Sequence, residues 1–128
     1  MWRPGERIEF SVIFEDSPHI FHYNSHDPSS EHDRIYETPA DCELCTSLAW
    51  SEAGQLAAGF SNGIICIWYE GASAPGLIFT PESIELHNYN QAIGCLAWNE
   101  VEGYSALVSG SKAGVVSVWS VKLGQCVS

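Results

Sequence analysis

No stretch of this chain approaches the ~20 consecutive apolar residues that a membrane-spanning helix requires. The opening Met1-Trp2-Arg3-Pro4-Gly5-Glu6 lacks the basic-then-apolar order of a secretory signal, so a soluble, intracellular chain is expected. Basic residues are scarce: five Lys and Arg stand against sixteen Asp and Glu, a formal net charge of −11. Ten of the acids and three arginines fall in residues 1–43, which leaves −7 there and −4 in the remainder. A field of that sign repels phosphate backbones, which are held by Lys and Arg clusters, so DNA is expected only indirectly, through other subunits of an assembly. The five cysteines (42, 45, 66, 95 and 126) are odd in number and irregularly spaced. They outline no disulfide framework; most sit in apolar runs as small hydrophobes, which fits a reducing compartment. A sustained 3.6-residue period with caps is also missing, so few helices are expected. There is no Gly-x-Ser-x-Gly elbow and no glycine-rich phosphate loop. No catalytic site, cofactor or metal is expected.

What the chain does contain is a repeat. Cys45-Thr46-Ser47-Leu48-Ala49-Trp50 aligns with Ile93-Gly94-Cys95-Leu96-Ala97-Trp98, at an offset of 48 residues. Leu56-Ala57-Ala58-Gly59 aligns with Leu107-Val108-Ser109-Gly110, and Gly63 through Trp68 with Gly114 through Trp119, both at 51. The second copy thus carries three extra residues between its first two strands, which are assigned to a surface turn. A fainter copy lies upstream, with a strand over Ile8–Phe14 and a second over His19–Tyr23 that puts Tyr23 in the place of Trp68 and Trp119. Each block is short, rich in Val, Ile, Trp and Cys, and bounded by Gly, Asn, Ser or Asp, as strands are. Final strands are expected at Arg34–Glu37, Leu77–Phe79 and Gln125–Val127, with Pro39–Leu44 and Pro81–Ala92 as links.

The runs Ile64–Trp68 and Val115–Trp119 are apolar at nearly every residue. Side chains alternate between the two faces of a strand, so both faces must be covered. Without helices, the cover must be other sheets, as between propeller blades. Ala57, Ala58, Gly59, Ser109 and Gly110 suit a close approach there.

The order strand, turn, Leu-x-x-Gly, turn-Gly, Ile-x-Ile-Trp at a period near 45 resembles the WD40 family. The resemblance is good over residues 40–128 and weaker over 6–38. It implies an all-β chain, a partial WD40-type β-propeller of two full blades plus part of a third: 1–38 a divergent partial blade and loop, 39–92 a blade with its linker, 93–128 a further blade. The Trp-Asp pair is replaced by Trp68-Tyr69 and Trp119-Ser120, and the tight-turn Asp by Asn62 and Ala113. Those departures imply loss of the family's buried Asp–His–Ser–Trp network. Asp41 through Trp50, followed by Leu56-Ala57-Ala58-Gly59-Phe60-Ser61-Asn62-Gly63, is similar to the WD40-bearing subunits of transcription factor TFIIIC, and His87 with Gln91-Ala92-Ile93 echoes the linker that follows there. That resemblance implies a non-catalytic interaction scaffold in RNA polymerase III transcription, located in the nucleus, whose partners are other TFIIIC subunits. The alternative is a generic WD40 adaptor of another assembly, such as a ligase receptor or a trafficking complex, in nucleus or cytoplasm. A third class, a metal- or thiol-dependent enzyme, would use Cys42, Cys45 and the histidines.

Cys42-x-x-Cys45 has no second pair at ligand spacing and no βαβ setting, so a core role is expected. His19, His22, His26 and His32 with Asp16, Asp27 and Asp33 read as a solvated stretch able to hold metal adventitiously. Partner recognition is assigned to the blade linkers and middle turns: Asp41, Glu43, Phe60, Asn62, His87, Tyr89, Asn90 and Lys112. Phe60 and Tyr89 are the aromatic anchors expected of an interface, unless they pack over neighbouring loops. A propeller closes with four to eight blades, so each end blade should expose an apolar face of roughly 300 Å². The chain is therefore expected to be a piece of a larger propeller, or to be completed by another chain.

Overall fold

Strands rich in Ile, Val, Trp and Cys pair with their sequence neighbours because connections of two to nine residues return the chain antiparallel. The computed structural model describes residues 9–13, 20–24, 34–80, 92–101 and 104–127. Within them lie eleven strands and no helix: β1 Glu9–Ile13, β2 Ile20–Asn24, β3 Arg34–Tyr36, β4 Cys45–Trp50, β5 Leu56–Phe60, β6 Ile65–Trp68, β7 Leu77–Phe79, β8 Ile93–Val101, β9 Tyr104–Ser111, β10 Val116–Ser120 and β11 Gln125–Cys126. They form three antiparallel sheets in chain order, β1-β2-β3, β4-β5-β6-β7 and β8-β9-β10-β11. The final strand of the last sheet stops at Cys126, one residue short of expectation, and β10 begins one residue after Val115.

The repeat persists at the level of backbone register. In β4–β5 the pairing shifts between Cys45 and Ser47, and in β8–β9 it shifts between Ile93 and Cys95, the aligned residues. Both copies therefore carry the same bulge, which bends the first strand over its neighbour. The turns also match. Phe60 N–H donates to the Ile64 carbonyl and Gly63 N–H to that of Phe60; Ser111 and Gly114 donate to Val115 and Ser111 in the same way. Gly63 and Gly114 sit at φ 88° and 83°, the left-handed conformation that closes such turns at little cost only with glycine. In the first sheet Ile20 pairs with Tyr36 as Ile65 pairs with Phe79. Its three strands thus correspond to the last three of the other sheets, and Tyr23 falls at the register of Trp68.

The three extra residues do not lie in a surface turn. Beyond the Trp98–Leu107 pair, the hairpin continues through Asn99–Ala106, Glu100–Ser105 and Val101–Tyr104. The insertion is absorbed by lengthening both strands, because paired backbone groups satisfy one another where a wider loop would leave them to solvent.

The second sheet is sandwiched. One face carries Trp50, Leu56, Ala58, Phe60, Cys66 and Trp68 and packs on Tyr36 of the first sheet. The other carries Ala57, Ile65, Ile67 and Phe79 and packs on Ile93, Leu107, Leu96, Trp98 and Trp119 of the third. The alternation along β5 and β6 is the strand period expressed as two separate cores. Aromatic pairs repeat across the two junctions: Trp68 against Tyr36 at 5.5 Å, and Trp119 stacked on Phe79 at 4.8 Å. Among the described residues the third sheet is covered on one side only, and its Val116 is 66% exposed where the aligned Ile65 is 0%.

One leg of the expected-absent hydrogen-bond network is present. Trp119 Nε1 donates to Ser109 Oγ at 2.9 Å. In the second sheet Ala58 occupies the serine's place, and Trp68 Nε1 donates instead to the carbonyl of Glu37, the residue just after β3, at 3.2 Å.

Candidate functional site

The second and third sheets meet through their first strands. Gly59 lies so close to Ile93 that an added Cβ would stand 2.5 Å from the Ile93 Cβ and 2.6 Å from Ser47 Oγ. Thr46 Oγ1 and Ser47 Oγ both donate to the Ile93 carbonyl, at 2.6 and 3.0 Å, and Trp98 Nε1 donates to the Ala49 carbonyl at 3.0 Å. At one end of this seam lies an open groove of about 520 Å³ lined by Trp50, Glu52, Leu96, Trp98 and Glu100 among others. There the Glu52 amide donates to Glu100 Oε2 at 2.9 Å.

At one rim of the second sheet, the linker before β4 and the β5–β6 turn are tied together. Asn62 Nδ2 donates to the Asp41 carbonyl at 2.7 Å, and Ser61 N–H donates to the Leu44 carbonyl at 2.8 Å. Ser61 Oγ accepts from Leu44 N–H at 3.2 Å and donates to Glu43 Oε2 at 3.1 Å. The result is a fixed acidic rim, with Asp41 and Glu43 exposed and the Leu44 side chain 65% exposed beside them. The third sheet repeats the tie: Lys112 N–H donates to the Ala92 carbonyl at 3.0 Å, leaving an exposed lysine on the aligned turn.

Of the eight residues assigned to partner recognition, Asp41, Glu43, Asn62 and Lys112 lie on these two tied turns. Phe60 does not belong with them. It is 1% exposed and part of the core with Tyr36, Trp50 and Trp68, because its position in β5 faces the first sheet. A partner cannot touch it without unfolding the blade. His87, Tyr89 and Asn90 lie outside the described residues, as do His19, His26 and His32. Leu44 was missed by the sequence reading; its signal was an apolar residue between Glu43 and Cys45 in a linker.

At neutral pH the cysteines of the motif are held mostly as thiols, which makes them slow nucleophiles. Cys42 Sγ lies 3.7 Å from Cys66 Sγ, and Cys45 packs on the same core. Burial pushes the Cys45 thiol from 9.0 up to about 12, and raises Cys66 and, less, Cys42. A nucleophilic thiol needs the opposite shift. Among the described residues, no three His, Cys, Asp or Glu side chains converge as metal ligands would.

No protein-family model matches the sequence, and no curated protein matches it. Among solved structures it is similar to a chain of the crystal structure of the mitotic checkpoint complex, with a TM-score of 0.69 and 21% identity over 98% of this chain. That chain is a WD40 propeller protein, and the present chain spans 36% of its length. With both faces of its second sheet buried between sheets and the blade register repeated, the chain has the fold of part of a WD40-type β-propeller: two four-stranded blades and a three-stranded one.

Proposed function

We propose that this chain is a non-catalytic protein-interaction scaffold, and specifically a TFIIIC-like subunit acting in the nucleus in RNA polymerase III transcription. The observation that carries the scaffold reading is the rim: tied turns, braced by the half-buried Asn62, that present Asp41, Glu43, Leu44 and Lys112 to solvent while the blade interior is closed. Turns whose backbone is already tied bind with a smaller ordering cost, and exposed acids beside an apolar residue suit a basic protein surface. The TFIIIC reading is supported by the run Asp41–Trp50 with Leu56–Gly63, which supplies those same turns. With a net charge of −11, any contact with DNA runs through other subunits.

A generic adaptor role is the second reading, favoured by the likeness to a propeller chain from a checkpoint assembly. Affinity purification of the tagged chain from its source organism, followed by mass spectrometry, separates the two. The TFIIIC reading expects the other TFIIIC subunits to be recovered, and lost when Asp41 and Glu43 are both replaced by Lys. Recovery of a different complex, with TFIIIC subunits absent, contradicts it and supports the adaptor.

A further inference from the structure

Three thiols gather at the junction of the first two blades, and two of them touch. Cys42 lies in the linker, on a turn closed by its own N–H donating to the Pro39 carbonyl at 3.0 Å. Cys66 lies in the middle of β6 with no exposed surface. Their sulfurs are 3.7 Å apart although 24 residues separate them in sequence. A disulfide requires about 2.05 Å, so the linker sulfur has less than 2 Å to travel, within reach of a side-chain rotation on an irregular segment.

We propose that Cys42 and Cys66, whose sulfurs already touch, are a pair that sustained peroxide closes into a reversible disulfide, pinning the inter-blade linker to the second blade. Cys42 is the first to react, since it is half-buried and open to a small oxidant while Cys66 is enclosed. Its thiolate attacks one oxygen of hydrogen peroxide; the O–O bond breaks, and the departing hydroxide takes up a proton to become water. The Cys42 sulfenic acid so formed is attacked by the Cys66 sulfur. An S–S bond forms, and the hydroxyl leaves as water with the Cys66 proton. Two thiols and one peroxide thus give one disulfide and two waters, with two electrons passing from sulfur to peroxide. A dithiol reverses the change by exchange. Burial disfavours both thiolates, so the pair stays reduced through brief exposure and closes slowly. Cys45 packs against the same core but belongs to a strand, and its sulfur is engaged with the Ser47 carbonyl at 3.6 Å.

The test uses the full chain with Cys95 and Cys126, both exposed, replaced by Ser to prevent cross-linking between molecules. The reduced protein is treated with hydrogen peroxide, its remaining thiols are alkylated, and digested peptides are mapped by mass spectrometry. A Cys42–Cys66 linked peptide is expected, lost on dithiothreitol treatment. The oxidised protein should melt at least about 5 °C higher, because a closed loop of this length restrains the unfolded chain. In Cys66→Ala, Cys42 should instead be trapped as sulfenic acid by dimedone. Should Cys66→Ala fail to fold, the linked peptide in the parent protein decides alone. Cys42 left unmodified after prolonged oxidation, a Cys42–Cys45 link, or an unchanged melting temperature would overturn the proposal.

Discussion

Gly59 in β5 and Gly94 in β8 are both strand glycines, the first buried at the seam between the second and third blades and the second exposed, and substitution should act on them in opposite directions. Replacing glycine by alanine ordinarily stabilises by about 0.4–1 kcal/mol through the unfolded chain. At Gly59 the new methyl would meet Ile93 at 2.5 Å, and at a branched carbon that cannot swing aside. Overpacking of that kind costs about 1–3 kcal/mol and wins. At Gly94 the nearest atom is the Gly110 carbonyl oxygen at 3.8 Å, ordinary contact distance. Urea denaturation should therefore place the midpoint of Gly59→Ala well below the parent and that of Gly94→Ala at or above it. The buried thiols give a second residue-scale expectation. A folded-state pKa of about 12 for Cys45 against 9.0 means that the native chain keeps a proton the unfolded chain releases. That stability is complete below pH 9 and is lost as pH climbs from 9 toward 12, by at most about 1.4 kcal/mol per pH unit for this thiol. Urea midpoints at pH 8 and pH 10.5 should differ by more in the parent than in Cys45→Ala.

At the scale of strands, the two cores divide unevenly. Strands β5 and β6 are covered on both faces, whereas β10 is covered on one and β11 is exposed. Local opening follows the number of buried apolar contacts. Amide hydrogen exchange read by mass spectrometry should show the slowest exchange over residues 56–68 and faster exchange over 116–126. Equal protection along both would mean that the third blade is covered on its outer side as well. This unevenness was legible in the sequence only in part. The aligned Trp50 and Trp98, the Gly63 and Gly114 turns, and the doubly apolar Ile64–Trp68 run located the blades, because strand period and turn chemistry are local properties. Phe60 was misread as a loop-tip aromatic because one position decides the face of a strand, and the shared bulge that sets that face is a pairing property invisible in one strand alone. The insertion was placed in a turn for a similar reason: whether Asn99–Val101 pairs depends on the partner strand. The Ser109–Trp119 bond shows the same limit, since the departures at Tyr69 and Ser120 say nothing about a serine on the neighbouring strand.

For the whole molecule, the claim that orders the rest is that a sheet with two greasy faces is stable only between other sheets. Ile65 and Val116 occupy the same place in successive blades and differ, beyond one methylene, in whether a further sheet covers them. Truncating a fully buried Ile to Ala costs about 2–5 kcal/mol, while an exposed position usually costs within ~0.5 kcal/mol. Equilibrium urea unfolding of Ile65→Ala and Val116→Ala in the same chain measures that difference. A loss several-fold larger for Ile65→Ala is predicted; equal losses at the two positions would contradict the stacked-blade account.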